Sequence, residues 1–337
     1  MNPVLDYLRE RRTTIAAYAL CAVLFAIATI HSSGFASASN IRQLLVFASF
    51  IGFAALGQTL VILAGGLDLS VPWLMAFGGL QLSNWTTHGM GGVLGIVLVV
   101  AAGAAIGLAN GYGVAWLRVP PIVMTLAVGG LVQAYLMSIG QLNSSGNQAP
   151  RIAESIATDR LGPIPVVALV WLGFAVAAGV LLSRTALGRR IYATGASDTV
   201  ATLSGVNVKR VRLVTYMLSG AAATFGGVVL SGYVGSTYID IGAPYLFASI
   251  AAVIVGGASI LGGRGTYWGT VAGALTLTVL SAMLPLFHLD TADLEIVYGI
   301  VILVGVALSR LGANALQMSR RGGGEEKPAD PEVVDVA

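Results

Sequence analysis

Charge is what this chain has least of. Asp, Glu, Lys and Arg make up 10% of its 337 residues, where a soluble domain of that length carries roughly a quarter. The shortage falls in long uncharged runs separated by short polar segments. That pattern excludes an ordinary soluble fold and describes a chain that crosses a lipid bilayer repeatedly. Cysteine is nearly absent. Cys21, the single one, lies inside an apolar run, so neither a disulfide framework nor a thiolate metal cluster can be built. The three histidines, His31, His88 and His288, fall at the outer ends of apolar runs with no carboxylate or second histidine at ligand spacing. No Walker-type GxxxxGKS or GxxxxGKT loop, HExxH helix or nucleophile elbow occurs. The chain is therefore not expected to be an enzyme or to bind a cofactor of its own. Within apolar surroundings there is essentially one carboxylate, Asp68; the others lie in loops, at the ends of runs or in the tail. A carrier driven by a proton or sodium gradient needs ionisable groups near mid-membrane, so the energy source is expected on another polypeptide.

What the chain does have is apolar length and glycine. Hydrophobic residues make up 56% and glycine accounts for 44 positions; small residues let membrane helices approach closely. About 20 apolar residues at 1.5 Å each cross a ~30 Å hydrocarbon layer. Runs of that kind lie at 13–31, 43–64, 69–87, 92–117, 121–140, 164–183, 212–234, 244–260, 266–286 and 294–310. The expected fold class is an all-α membrane protein of about ten transmembrane helices. The eighth run is short and glycine-rich, and reads as a bent or partly re-entrant segment. With both termini cytoplasmic, only Arg42, Arg151 and Arg160 of the 18 basic residues lie outside, as the positive-inside bias requires. The chain then divides into a cytoplasmic N-terminus (1–12), a membrane domain (13–311) and a Gly-, Pro- and acid-rich tail (312–337) expected to be disordered. The outer segment 141–163 reads as a polar loop, and 184–211 as the longest cytoplasmic connection.

Three sets of residues stand out. Asp68, in Gly65-Gly66-Leu67-Asp68-Leu69-Ser70, reads first as the N-cap of the third span. With Gln58, Asn110, Thr125, Gln133 and Ser219 it also belongs to the polar groups within apolar runs, which serve either interhelical hydrogen bonds or a translocation path. In 196–206, Ser197 or Asp198 can cap a short helix, Val200, Leu203 and Val206 form an apolar stripe, Gly205 can close it and Asn207 can cap the next span. Such a helix needs a groove on a partner or the lipid headgroup layer, with Arg189, Arg190, Lys209 and Arg210 on phosphates. Glu154, Asp159 and Asp240 are the outer carboxylates placed to meet a second protein.

Four blocks carry a family resemblance. Gly65 through Val71, Gly107-Leu108-Ala109-Asn110-Gly111 with Val119 through Leu126, Arg184 through Gly195 with Leu203 through Val208, and Gly256 through Ser259 with Gly262 through Gly265 and Gly269-Thr270 follow in order. Together they resemble the ribose/xylose/arabinose-type ABC permeases of the branched-chain amino-acid/sugar permease superfamily. Pro72 stands where that family's first signature ends in glycine. The resemblance implies a type II-like importer: two ten-span permeases, identical or paralogous, two cytoplasmic ATPase subunits that bind ATP and Mg, and a periplasmic solute-binding protein. It implies a bacterial inner-membrane location and an inverted repeat relating spans 2–5 to spans 7–10. It also makes 196–206 the coupling helix, with Gly195, Asp198, Val200, Leu203, Ser204, Gly205 and Asn207 serving contact with the ATPase. The solute is expected to be a sugar; branched-chain amino acids, nucleosides and autoinducer-2 share the scaffold and stay open.

Overall fold

In a computed structural model describing residues 12–90, 92–140, 148–289 and 291–322, most of the described chain is helical. Its axis is α2 (Ala38–Leu63). Ser37 starts this helix, its Oγ accepting from Asn40 N at 3.3 Å, and Gly65 ends it by taking a left-handed φ of 80° just past the cap. At 26 residues it is about 39 Å long, and 89% of its most apolar stretch is buried. By contrast α1 (Arg12–His31) is only 11% buried and lies at the periphery, packed on α12.

Around α2 stand α3 (Val71–Thr87), α4 (Gly92–Ala115), α5 (Pro121–Gly140), α7 (Val166–Arg184), α10 (Val208–Val234), α11 (Tyr245–Val255), α12 (Tyr267–Met283) and α13 (Thr291–Gly322). Asn207 caps α10, its Oδ1 accepting from Arg210 N at 3.1 Å. α10 packs along α4, α3 and α2, closely enough that the Gly103 carbonyl of α4 lies against Gly220. That approach is the use membrane helices make of small residues.

Among the described residues, seven helices are long and apolar enough to cross a membrane: α1, α2, α4, α5, α7, α10, and α12 with the short 3-10 turn after it. The other three expected spans fall on α3, with 17 residues, on α11, with 11, and on α13, whose side chains are described only to residue 307. The short eighth run is thus a helix ending at Val255 and followed by a glycine-rich loop, because Gly257 (φ 85°) and Gly262 (φ 92°) cannot continue it.

Two expectations about connections are corrected. The segment expected as a polar outer loop is not a plain loop over its described residues, 148–163. From Pro150 it forms α6 (Arg151–Thr158), whose Ala153 and Ala157 are buried, then a two-residue hairpin of β1 (Arg160–Leu161) and β2 (Ile164–Pro165). Alternating small apolar residues at i and i+4 bury α6 on α10, where the Gly232 Cα lies against the Ala153 carbonyl. The basic connection holds two helices, α8 (Ala186–Ala196) and α9 (Asp198–Leu203). α8 was missed because polar and basic residues obscure its short buried face of Gly188, Ile191 and Thr194. The helix α13 runs on to Gly322, so 312–322 belong to it rather than to the tail. Residues 1–11 and 323–337 lie outside the described residues.

Candidate functional site

The turn between α2 and α3 is the polar centre of the bundle. Asp68 is fully buried. Its Oδ1 accepts from Ser70 N at 3.0 Å and from Ser70 Oγ at 2.6 Å, and its Oδ2 accepts from Ser219 Oγ of α10 at 2.7 Å. The N-cap reading is therefore corrected. Ser70 holds the cap position of α3, without a side-chain cap bond, and the carboxylate instead ties the turn to a helix 151 residues away in sequence. Burial forces this arrangement, since a carboxyl out of water must find donors.

The same turn reaches three other helices. Asn110 Nδ2 of α4 donates to Ser70 Oγ at 2.9 Å. Leu69 N donates to Thr125 Oγ1 of α5 at 3.0 Å, and the Tyr216 hydroxyl of α10 donates to the Leu67 carbonyl at 3.2 Å. Four of the six polar residues singled out in the sequence, Asp68, Asn110, Thr125 and Ser219, thus meet in one hydrogen-bonded cluster. Gln58 and Gln133 do not join it. Gln58 is fully buried in α2 with neither amide atom hydrogen-bonded, and Gln133 is half-buried in α5.

A second junction lies beside this turn. The C-terminal end of α8, the end of α2 and the loop between α11 and α12 meet backbone to backbone. Gly263 N donates to the Leu63 carbonyl at 3.0 Å. A Cβ on Gly195 would stand 1.8 Å from that same carbonyl and 2.5 Å from Gly263 N, so only glycine fits there. The Tyr192 hydroxyl of α8 donates to the Gly265 carbonyl at 2.8 Å. Burial raises the Tyr192 phenol above its ordinary pKa, which keeps the proton on the donor throughout the neutral range. Sequence reasoning flagged Gly195 and the Gly262-Gly263 pair separately. Nothing local signals that they touch.

From that junction the chain enters α9. Ser197 is its cap, with Oγ accepting from Val200 N at 3.3 Å, and Gly205 closes it at φ 80°. Asp198 forms an ion pair with Arg212 at the start of α10; partly exposed, it is worth at most about 1 kcal/mol. Val200 is 62% and Leu203 84% exposed. Val206, expected on the same stripe, is half-buried against the bundle, because the turn at Gly205 redirects it. Two bare aliphatic side chains at the tip of a two-turn helix, flanked by the exposed Ser204, Gly205 and Asn207, form a protruding knob. At the other end of α10, Glu154 on α6, Asp159 at its C-cap and Asp240 in the turn after α10 are all exposed.

An apolar multi-helix bundle with a buried polar node, seven of whose described helices are long and apolar enough to cross a bilayer, fits a multi-pass membrane protein. A family model described as branched-chain amino acid transport system / permease component matches residues 40–306, and the chain belongs to that family. It is 33% identical to the ribose import permease protein RbsC of Escherichia coli strain K12, across 89% of this chain and 93% of that protein. It is 32% identical to the fructose import permease protein FrcC of Rhizobium meliloti, across 90% and 87%. With the D-allose transport system permease protein AlsC of Escherichia coli strain K12 it shares 31%, across 82% and 85%. No solved structure matches the chain.

Proposed function

We propose that this chain is the membrane-spanning subunit of an ATP-driven importer for a monosaccharide, in the bacterial inner membrane. The carrying observation is the alignment of over four-fifths of the chain with permeases named for ribose, fructose and allose. The family description names branched-chain amino acids, but the three relatives quoted above are named for sugars. The chain binds no ATP; partner ATPase subunits hold ATP and Mg, a periplasmic binding protein delivers the solute, and a second permease completes the pore.

In this reading the bundle has ten spans with both termini cytoplasmic. The halves α2–α5 and α10–α13 form an inverted repeat, each opening with a long helix (26 and 27 residues) followed by a shorter one (17 and 11). α9 is the coupling helix: Val200 and Leu203 enter a groove on the ATPase, and Gly195, Asp198, Ser204, Gly205 and Asn207 set its pose. Closure of the ATPases on ATP displaces α9. The Gly195 contact passes that displacement to the end of α2, and the Asp68 cluster spreads it to α4, α5 and α10. Rigid helices moving about such a node give alternating access. Asp68, Asn110, Thr125 and Ser219 act in the path as a movable joint. Gln58 and Gln133 are the remaining polar groups for solute to meet, and Glu154, Asp159 and Asp240 face the binding protein.

The test is reconstitution of the full importer in proteoliposomes with its ATPase and binding protein. ATP-dependent uptake of D-ribose, D-fructose or D-allose is expected, with no uptake of L-leucine. Uptake of leucine without any of the sugars would overturn the sugar reading.

A further inference from the structure

A cavity of about 440 Å³ opens at the end of the bundle opposite the glycine junction, between the N-terminal half of α2, the start of α11, the end of α12 and the start of α13. Its deepest α2 residue, Ile51, lies 12 residues before Leu63, so it is about 18 Å along the axis from that junction. The volume falls in the ordinary range for small-molecule sites, about 300–1,000 Å³.

The lining is mixed in a particular way. Asn40, Gln43, Ser281 and Glu295 supply amide, hydroxyl and carboxylate groups. Phe47, Tyr245 and Tyr298 supply flat aromatic faces. Among the described residues, no lysine, arginine or histidine lines it. Amides and a carboxylate can bond hydroxyls as donor or acceptor, and aromatic faces suit the C–H surface of a sugar ring. A phosphate would find no cation among these described residues and would lie near the like-charged Glu295 carboxylate.

We infer that this cavity is a binding subsite for a neutral monosaccharide on the translocation path, ahead of the Asp68 node. The inference rests on the sugar reading above. It adds a location distinct from every polar residue that the sequence singled out.

The experiment uses the complete importer, with D-ribose as probe and D-fructose and D-allose as alternates. Ser281→Trp fills the cavity and should lower uptake about tenfold or more, while the variant still co-purifies with the ATPase. Glu295→Gln keeps the volume and should raise KM about threefold to tenfold, the factor for one lost hydrogen bond, with little change in maximal rate. Val97→Trp, on an exposed face of α4, should transport like the parent. Should Ser281→Trp fail to insert, Ser281→Cys in a Cys21→Ala background is modified after assembly by a membrane-impermeant thiol reagent, and sugar uptake should fall as labelling proceeds. A parent that transports sugar while the filled, labelled and Glu295→Gln forms all transport equally would overturn the subsite. A parent that transports none of the three sugars would instead overturn the sugar reading, and this inference with it.

Discussion

Replacing Gly195 by alanine tests the mechanical link most directly. The added methyl would stand 1.8 Å from the Leu63 carbonyl, where ordinary contact begins at 3.4 Å, so the strands of backbone must separate by about 1.6 Å. That separation stretches the 3.0 Å bond from Gly263 N to the same carbonyl past hydrogen-bonding distance. Overpacking of this size costs about 1–3 kcal/mol, and the lost bond about 0.5–1.5 kcal/mol more. The sum is too small to unfold a bundle of this size, and it is concentrated at the one place where α8, α2 and the α11–α12 loop touch. The expected outcome is a permease that inserts and co-purifies with its ATPase, hydrolyses ATP, and takes up solute at least tenfold more slowly per ATP. Gly130→Ala is the matched control, because its Cβ meets nothing within 4 Å; in a helix the change stabilises slightly. The assay is uptake and ATP hydrolysis measured on the same proteoliposomes. Unchanged coupling in Gly195→Ala would refute the transmission role of the junction.

Three further outcomes are expected. If α9 docks as proposed, Leu203→Asp puts an unpaired charge into the groove that receives it at a cost of several kcal/mol, so the ATPase should no longer co-purify. Arg190→Gln should leave that contact intact, and the opposite pattern would place α9 on lipid instead. Asp68→Asn gives the cluster a second donor where Ser219 Oγ or Ser70 already donates. It should lower the detergent melting temperature, through about 1–3 kcal/mol of unsatisfied bonding, and slow uptake; a parent-like melting curve would show that the cluster holds little. Neutralising Glu154, Asp159 and Asp240 together should slow association of the binding protein at low salt and matter little at high salt. Unchanged association kinetics would remove those residues as contacts.

Much was readable from the sequence because the bilayer restricts the choices. A run of twenty apolar residues has to be helical in lipid, so the ranges of α1, α2, α4, α5, α7, α10 and α12 followed from hydropathy within a few residues. Caps are local as well: Ser197, Gly205 and Asn207 act on backbone groups within three or four positions, and their residue types announce it. The polar residues Asp68, Asn110, Thr125 and Ser219 were visible as exceptions in apolar runs. What each would bond to was not visible, since Asp68 and Ser219 are 151 residues apart and any of several helices could have supplied the donor. α6, with its packed face of Ile152, Ala153, Ile156 and Ala157, and α8, with Gly188, Ile191 and Thr194, escaped because both are short helices amid polar residues, well under the length of a membrane span. Only the tertiary structure decided that Gly195, Leu63 and Gly263 share one contact, and that Asn40, Ser281 and Glu295 line one cavity. Hydropathy and capping act along a few residues of chain, whereas close approach and enclosure depend on how separate helices are set against one another.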